Sequence, residues 1–547
     1  MQVPRREALK SVLAAFAHPE LDWDSLPTAG AASRADQFDA LIIGSGLGGL
    51  SCAAAFARQG FRVLVLEQHD KPGGYATAFR RPGGFLFDCS LHSTTVGERG
   101  GVHNLIPGFP EIQDLEFVPH KVLYRAVFPE HDIRVPHRNL PAYLETLSKA
   151  FPAEADGIRS LFDGIAALER ELNAYAKAAG KVEMSRMPVE FPQLVRYSAS
   201  TWGQVLGAHI KDPKLQAIVS ALWTYYGLPP SRLAGIYYAL PTLYYLTEGG
   251  YYPRGRSQNI SDAFVKFIEA RGGRVLLRTR AERILVDNGA AVGVRAADGR
   301  QFLARAVISN ANAYDTFHKL LEPADALRDY LARMERFSVS LSAFQIFLGL
   351  NTDLVHKLGV ADSEIFYSHG YDPEAAYQAA LKADVENCGF CVTLYDNLFE
   401  GYSPKGKNTL NIIALQGFDH WKPYEADYWK GNKAAYRAEK ERIAGILIKQ
   451  VEKTLLPGLS QAIEVKEIGT PLTHARYTSN YRGAIYGWDQ TLDNAMPRRV
   501  GHATPIRNLY IAGAWSSPGH GYIAVIRSGL ECFAQIMARW EQAAKRE

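Results

Sequence analysis

The feature of this 547-residue sequence that most constrains its fold is a glycine-rich turn between an apolar strand and a helix. Phe38–Ile43 predicts a buried strand, and it leads directly into Gly44-Ser45-Gly46-Leu47-Gly48-Gly49. A helical pattern follows over Leu50–Gln59, and a second strand, Arg62–Leu66, ends on Glu67. This order of strand, glycine turn, helix, strand and acid predicts a βαβ unit that binds a dinucleotide.

The residues of this turn have separate physical roles. Gly44 permits the tight turn, Gly46 lets the backbone approach a pyrophosphate, and Gly49 lets helix and strand pack closely. The helix N-terminus offers free N–H groups to the phosphates. Glu67 can accept hydrogen bonds from ribose hydroxyls and would repel a 2′-phosphate, which disfavours NADP. The loop residues predicted to contact the dinucleotide are Gly44, Ser45, Gly46, Gly48 and Gly49.

A second glycine pair follows the acid closely. After Glu67 and Gln68, Pro72 fixes a turn and Gly73-Gly74 permits another close backbone approach to the cofactor. The segment from Gly44 to Gly74 resembles the N-terminal fingerprint of the FAD-dependent carotenoid desaturases, carotenoid isomerases and retinol saturases, which are relatives of the flavin amine oxidases. The resemblance implies FAD as the cofactor.

Later segments extend the resemblance. Gly249–Gln258 is similar to the "GG-x-x-P-x-G-G-S" stretch of that superfamily, and Ala281–Ile284 is similar to a strand that touches the adenine side. Thr504–Gly513 resembles the strand that returns the chain to the flavin, and Pro518–Gly521 resembles the final glycine turn. The further cofactor contacts that this implies are Gln68, Gly73, Gly74, Ala281, Gly513, Gly519, Gly521 and Tyr522.

The sequence departs from the superfamily at three places. Tyr75 follows the paired glycine, where many relatives have a basic or small residue, and Arg256 stands where a glycine is common. Ala514-Trp515 follows Gly513, where many relatives have an acidic residue. One carboxylate contact to the ribityl side of the cofactor is therefore expected to be missing.

The implied fold class is α/β, with a Rossmann-like FAD-binding domain of the glutathione-reductase and amine-oxidase type and an inserted α+β substrate domain. The length of the chain, 547 residues, also predicts at least two domains. The predicted segments are an N-terminal extension at 1–37, an FAD-binding domain at 38–100, 249–318 and 471–547, and a substrate-binding domain at 101–248 and 319–470.

The substrate segments are rich in tyrosine pairs between Ala221 and Tyr252. Adjacent tyrosines on a helix point about 100° apart, so some of them belong to the core. Two interpretations stay open and are compatible: a well-packed helical layer, or the rigid wall of a long apolar tunnel that leads to the flavin.

No nucleophile–base, paired-carboxylate or zinc spacing stands out, as expected where the flavin carries the redox step and the protein supplies position and electrostatics. The candidates for catalytic side chains come from segments that the superfamily brings to the ring. They are His92, Arg482, Tyr486 and His520. A purely structural role for His92 is the competing interpretation.

Composition excludes several classes. The net charge is +4, from 61 basic and 57 acidic residues, and there is no basic run, so no nucleic-acid partner is expected. Five cysteines are too few and too scattered for a disulfide framework, which favours a reducing compartment. Cys388 and Cys391 form a single CxxC pair, interpreted as structural because half of a zinc site would be missing, and no metal is predicted.

The N-terminus leaves alternatives open. Arg5-Arg6 faintly resembles a twin-arginine export signal. Leu9, Val12, Leu13 and Phe16 instead form the apolar stripe of an amphipathic helix, which would pack on the protein or lie on a membrane surface. The prediction is a cytoplasmic protein, with peripheral membrane contact as the alternative.

Three function classes follow. The first is an FAD-dependent oxidoreductase that isomerises, saturates or desaturates carbon–carbon double bonds of a carotenoid, retinoid, other isoprenoid or fatty-acyl chain. Its partners would be a hydrophobic small molecule and an electron donor or acceptor that the sequence does not identify. The second is a flavin amine oxidase. The third is a prenyl-chain-binding protein of the GDP dissociation inhibitor type, against which Glu67 and the glycine turn at 519–521 argue.

Overall fold

The structure, a computed structural model, describes residues 37–545 except 91, 97–100, 106–107, 179–181, 184 and 496–497. The predicted N-terminal signal or helix lies outside the described residues. The strands are β1 Gln37–Ile43, β2 Val63–Leu66, β3 Ala78–Arg81, β4 Phe85–Asp88, β5 Phe117–Pro119, β6 Val122–Val127, β7 Asp132–Pro136, β8 Tyr251–Pro253, β9 Arg274–Leu276, β10 Ala281–Asp287, β11 Ala290–Ala296, β12 Gln301–Ser309, β13 Ser342–Leu350, β14 Glu364–Tyr367, β15 Phe390–Thr393, β16 Asn408–Gln416, β17 Ile463–Gly469 and β18 Leu509–Ile511.

Shorter helical turns connect a set of longer helices. The helices of eight or more residues are α1 Leu47–Arg58, α2 Leu140–Ala150, α3 Ala155–Ala178, α4 Pro192–Ala199, α5 Trp202–His209, α6 Gly235–Glu248, α7 Gln258–Ala270, α8 Pro373–Leu381, α9 Lys422–Lys430, α10 Ala434–Thr454, α11 Pro471–Thr478 and α12 Tyr522–Ala544.

The first sheet has a parallel centre. Its strand order is β10-β11-β12-β1-β2-β9, and β18 also pairs with β12. β1 is parallel to both β2 and β12, and β18 is parallel to β12. Since parallel strands end at the same edge, the segments that follow β1, β2, β12 and β18 meet there. This edge therefore brings together four separate chain segments.

Alternation along β1 builds a core on each face of this sheet. Ala40 and Ile42 pack with Phe56 of α1 and Phe533 of α12, whose rings lie 4.8 Å apart. Leu41 and Ile43 face the opposite core, which includes Trp488 and Trp515. The approach of α12 to α1 is tight, because a Cβ on Gly529 would lie 2.2 Å from the carbonyl oxygen of Gly48.

The second sheet comes from the segments that lack the dinucleotide pattern. Its order is β17-β13-β16-β15-β14-β6-β7, antiparallel throughout except for the parallel β14–β6 pair. A helical layer that includes α3, α5 and α6 shares its core. The fold is therefore mixed α/β with one largely parallel and one largely antiparallel sheet, as expected from the sequence.

Several predicted element boundaries shift. α1 begins at Leu47 rather than Leu50, because the last two glycines of the turn are already helical. The apolar pattern of the sequence also predicts helices that begin at Asp262 and at Leu161, whereas α7 begins at Gln258 and α3 begins at Ala155. Glycines and polar first turns carry little apolar periodicity, so the sequence pattern places these starts too late.

Both interpretations of the tyrosine-rich stretch describe part of it. Tyr238 is fully buried and stacks on Trp202 at 4.4 Å. Tyr225, Tyr237 and Tyr245 instead line a cavity. None of the helices in the described part of the chain is long and apolar enough to cross a membrane.

Candidate functional site

A cavity of about 880 Å³ opens at the carboxyl edge of the first sheet and continues toward the second sheet. At the sheet edge its wall includes residues that follow β1, β2, β12 and β18. The predicted cofactor residues on this wall are Gly44, Gly46, Gly48, Glu67, Gln68, Gly73, Gly74, Ala281, Gly513, Gly521 and Tyr522.

The glycine turn leaves no room for side chains at Gly46 and Gly48. A Cβ on Gly46 would lie 2.7 Å from the side-chain Nδ2 of Asn310, and one on Gly48 would lie 2.7 Å from the Cα of Gly513. Gly44 has a φ of +91°, which only glycine adopts without strain. The bare backbone of this turn therefore forms a cradle that a phosphate group can approach, at the N-terminus of α1.

Ser45 and Gly49 lie behind the cradle and are not on the cavity wall. A Cβ on Gly49 would lie 2.3 Å from the carbonyl oxygen of Gly44, so Gly49 serves the packing of strand and helix. Ser45 donates to Glu67 Oε2 from its backbone nitrogen at 2.8 Å and from its hydroxyl at 2.6 Å. Ser45 thus orients the acid that follows β2.

Glu67 is held on both oxygens. Its Oε1 accepts the backbone N–H of His69 at 2.7 Å, while Oε2 faces Ser45. The neighbouring Gln68 donates from Nε2 to the Ser479 hydroxyl at 3.0 Å. This fixes a carboxylate at the cavity wall, in the position where a ribose would need an acceptor.

The C-terminal segment completes the wall. The backbone N–H of Gly513 donates to the Ser528 hydroxyl at 2.9 Å, and α12 starts at Tyr522 after Gly521, whose φ is +96°. Gly519 lies off the wall, where a Cβ would come 2.0 Å from the Gln490 side-chain nitrogen. The bare cradle, the fixed acid and the helix N-terminus together fit the pyrophosphate and ribose of FAD.

Away from the sheet edge, the wall becomes apolar and aromatic. The residues that share this character are Tyr225, Tyr226, Tyr237, Leu240, Tyr244, Tyr245, Phe366, Phe390, Ile413, Leu415, Ile485 and Tyr486. Leu172 of α3 lies on the same wall. An apolar chain can therefore extend from the cofactor end between the second sheet and the helical layer.

Three of the predicted catalytic residues meet on this wall. The ring of His520 lies 4.3 Å from that of Tyr486, and the ring of His92 lies 5.2 Å from that of Tyr225. Burial lowers the pKa of His92 to about 4 and that of His520 to about 3. Both imidazoles are therefore neutral near pH 7, so neither of them adds a charge to this part of the cavity.

Arg482 is not brought to the cavity. It has a φ of +55°, and its guanidinium pairs with Asp419 at the surface and lies 5.8 Å from the Phe418 ring centroid. Its chain neighbours Ile485 and Tyr486 do reach the wall. The side chain of Arg482 turns outward because the 3-10 turn at Tyr481–Gly483 precedes the segment that enters the site.

The cysteine pair lies on the cavity wall. Burial raises the pKa of Cys388 to about 12, and that of Cys391 lies well above its usual value for the same reason. Both are thiols rather than thiolates at neutral pH, which disfavours metal binding and thiol exchange. Among the described residues, no group of three potential metal ligands is present.

A buried carboxyl behind the wall was not predicted from the sequence. Glu364 is 2% exposed, and its oxygens accept the hydroxyls of Tyr225 at 2.8 Å and Tyr395 at 3.3 Å. Burial raises the pKa of Glu364 from 4.5 to about 8, so the group is protonated at neutral pH. Tyr225 thus connects the cavity to a stored proton.

The raised pKa of Glu364 predicts a pH-dependent stability. In the unfolded chain the carboxyl ionises near pH 4.5, whereas in the folded protein it stays protonated up to about pH 8. The wild type is therefore expected to lose stability relative to Glu364→Gln as pH rises from 4.5 to about 8, by on the order of a few kcal/mol. Melting temperatures of both proteins between pH 5 and pH 9 check this, and a constant difference would contradict it.

Fold and site together define an FAD-binding oxidoreductase. The sequence profile of the flavin containing amine oxidoreductase family matches residues 47–537, and the chain belongs to this family. The predicted superfamily, fold class and FAD cofactor are confirmed.

Named relatives are similar over nearly the whole chain. Prolycopene isomerase 1 of an Oncidium hybrid is 29% identical over 93% of this chain and 85% of its own length. The all-trans-retinol 13,14-reductase of Danio rerio is 26% identical over 92% of this chain and 86% of its own. Cyclohexylamine oxidase of Brevibacterium oxydans shares the fold, with a TM-score of 0.57 at 16% identity, covering 92% of this chain and 99% of its own.

Proposed function

We propose that this FAD-dependent enzyme acts on carbon–carbon double bonds of a long apolar substrate such as a carotenoid, a retinoid, another isoprenoid or a fatty-acyl chain. The reaction is an isomerisation, a saturation or a desaturation. The observation that carries the proposal is the cavity, which is continuous from the dinucleotide cradle to an aromatic and aliphatic wall. The names of the relatives, a prolycopene isomerase and a retinol reductase, support the same substrate class.

The proposed division of labour follows the two sheets. Segments 38–100, 249–318 and 471–547 hold the cofactor, and segments 101–248 and 319–470 enclose the substrate. FAD supplies the hydride or electron chemistry when bound. The protein excludes water with the apolar wall, and the neutral His92 and His520 add no charge to it.

Proton transfer is assigned to Tyr225 and Glu364. In the structure the Tyr225 hydroxyl donates to Glu364 Oε2 at 2.8 Å. When that oxygen carries the carboxyl proton, the direction reverses and the carboxyl O–H donates to the Tyr225 oxygen. The tyrosine hydroxyl is then free to donate into the cavity, and Glu364 replaces the proton. Hydride addition to an isolated double bond requires such a proton, and hydride removal requires its acceptor.

The apolar wall disfavours the amine oxidase alternative. A protonated amine loses its hydration there, and the carboxyl nearest to Tyr225 is itself neutral. The shared fold with cyclohexylamine oxidase shows architecture alone, at 16% identity. Amines therefore belong in the test as the competing substrate class.

The experiment measures product mass. Purified holoenzyme, with its flavin either oxidised or reduced by dithionite, is incubated with carotenes, retinol, unsaturated acyl lipids and primary amines. A product that is two hydrogens heavier or lighter establishes saturation or desaturation. A product of unchanged mass and altered retention, formed only with reduced flavin, establishes isomerisation. Turnover of amines with none of any polyene would overturn the proposal.

A further inference from the structure

A buried arginine lies beneath the cofactor-facing turn that follows β18. Arg499 is 2% exposed, and its guanidinium donates to four main-chain carbonyl oxygens. Those of Ala514 and Ser516 lie at 2.6 Å and 2.9 Å, and those of Trp488 and Asn494 lie at 3.1 Å and 3.4 Å. Four carbonyl dipoles thus replace the water that a guanidinium would otherwise bind.

The same turn forms part of the cavity wall. Gly513, Ala514, Trp515 and Pro518 line the cavity between the dinucleotide cradle and the aromatic wall, where the flavin end of the cofactor would lie. Arg499 itself does not line the cavity. In a trans peptide the C=O and N–H point in opposite directions, so the N–H of Trp515 is directed away from Arg499. Arg499 thereby fixes the orientation of the peptide group between Ala514 and Trp515 at the cavity wall.

The charge of Arg499 is only weakly offset. The turn Gly513–Pro518 contains no acidic residue. Among the described residues, no carboxylate lies within ion-pair distance of Arg499. Asp489 attracts it from farther away, but the Asp489 carboxylate accepts the Ser338 hydroxyl at 2.6 Å and lies 3.9 Å from Arg232. Burial lowers the pKa of Arg499 to about 10, which leaves the guanidinium charged at neutral pH.

We propose that Arg499 is a positioning residue that both orients the Gly513–Pro518 turn against the flavin and raises the reduction potential of the bound flavin through its buried positive charge. A positive charge in a medium of low dielectric stabilises the more electron-rich, reduced cofactor relative to the oxidised one. This inference rests on the FAD cofactor and not on the proposed substrate. A failure of the product assay would therefore not contradict it.

The test is the midpoint potential of the flavin in purified holoenzyme. Arg499→Met is expected to shift the two-electron equilibrium toward oxidised flavin at least about tenfold, which corresponds to about 30 mV in the negative direction. Arg499→Lys keeps the charge and is expected to stay near the wild-type value. Arg498→Met, at the neighbouring position, serves as the matched control and should leave the potential unchanged.

A second variant covers the case in which Arg499→Met does not fold. Asp489→Asn removes the carboxylate that attracts Arg499 and should shift the potential in the positive direction. A merely structural role would change FAD affinity or melting temperature in these variants and leave the potential in place. An unchanged potential in Arg499→Met, or in Asp489→Asn when Arg499→Met does not fold, would overturn the proposal.

Discussion

Gly48→Val is expected to yield folded protein that no longer retains FAD. A Cβ at this position would lie 2.7 Å from the Cα and 2.9 Å from the nitrogen of Gly513, and both contacts are to backbone that cannot rotate away. The branched side chain would push the turn and the return segment apart, at the place where the cofactor must approach both. The flavin absorbance per protein after purification measures the loss, which should be close to complete.

The control for this experiment is Gly445→Ala. Gly445 lies within α10, and a Cβ there would meet nothing within 4 Å. This variant should keep its flavin and gain slightly in stability, because alanine is the better helix former. A yellow Gly48→Val protein with wild-type flavin content would show that the cavity edge at Gly48 does not hold the cofactor.

Removal of the stored proton is expected to slow product formation strongly without loss of flavin. Tyr225→Phe removes the hydroxyl that makes the 2.8 Å contact with the buried carboxyl, and Glu364→Gln keeps a hydrogen-bonding side chain but removes the carboxyl proton. General acid–base groups typically contribute about 10² to 10⁴ in rate. Each single variant should therefore be at least about 100-fold slower, and the double variant no slower than either single one, because the two groups act as one unit.

The pH profile distinguishes this role from a structural one. In its donor role Glu364 must be protonated, so the wild-type rate should fall as pH rises through about 8. The same decline should be absent in Glu364→Gln. Glu452→Gln, at an exposed carboxylate that binds Ser460, is the matched control and should behave as wild type. Single variants with wild-type rates would remove Tyr225 and Glu364 from the mechanism.

The dinucleotide part of the fold was predictable because its signals are local. A short apolar strand, closely spaced glycines and a strand that ends on Glu67 can be identified within one stretch of chain. The sterics that require glycine at Gly44 and Gly73 are properties of the backbone itself. The same local signals misplaced the starts of α1 and α7, because first helical turns rich in glycine or polar residues carry no apolar stripe.

The catalytic side of the site depends on contacts that no local pattern encodes. Tyr225 and Glu364 are separated by 139 residues, and Glu364 lies in a strand whose only sequence signal is a short apolar run. Arg482, by contrast, stands close to Tyr486 in sequence, yet its side chain pairs with Asp419 outside the cavity. The position of Arg482 close to Tyr486 thus predicted correctly that this segment reaches the cavity, but it did not predict that the Arg482 side chain points away from it.

The sequence by itself determined the glycine cradle, because it depends on residue types at short, fixed spacings, and its resemblance to a known superfamily implied the α/β fold class and the FAD cofactor. The tertiary structure alone decided which polar groups surround the apolar wall and which of them are charged. Burial produces the neutral His92 and His520 and the protonated Glu364, whereas Arg499 stays charged although burial lowers its pKa. A pKa depends on desolvation and on partners from distant segments, and those exist only once the chain is folded.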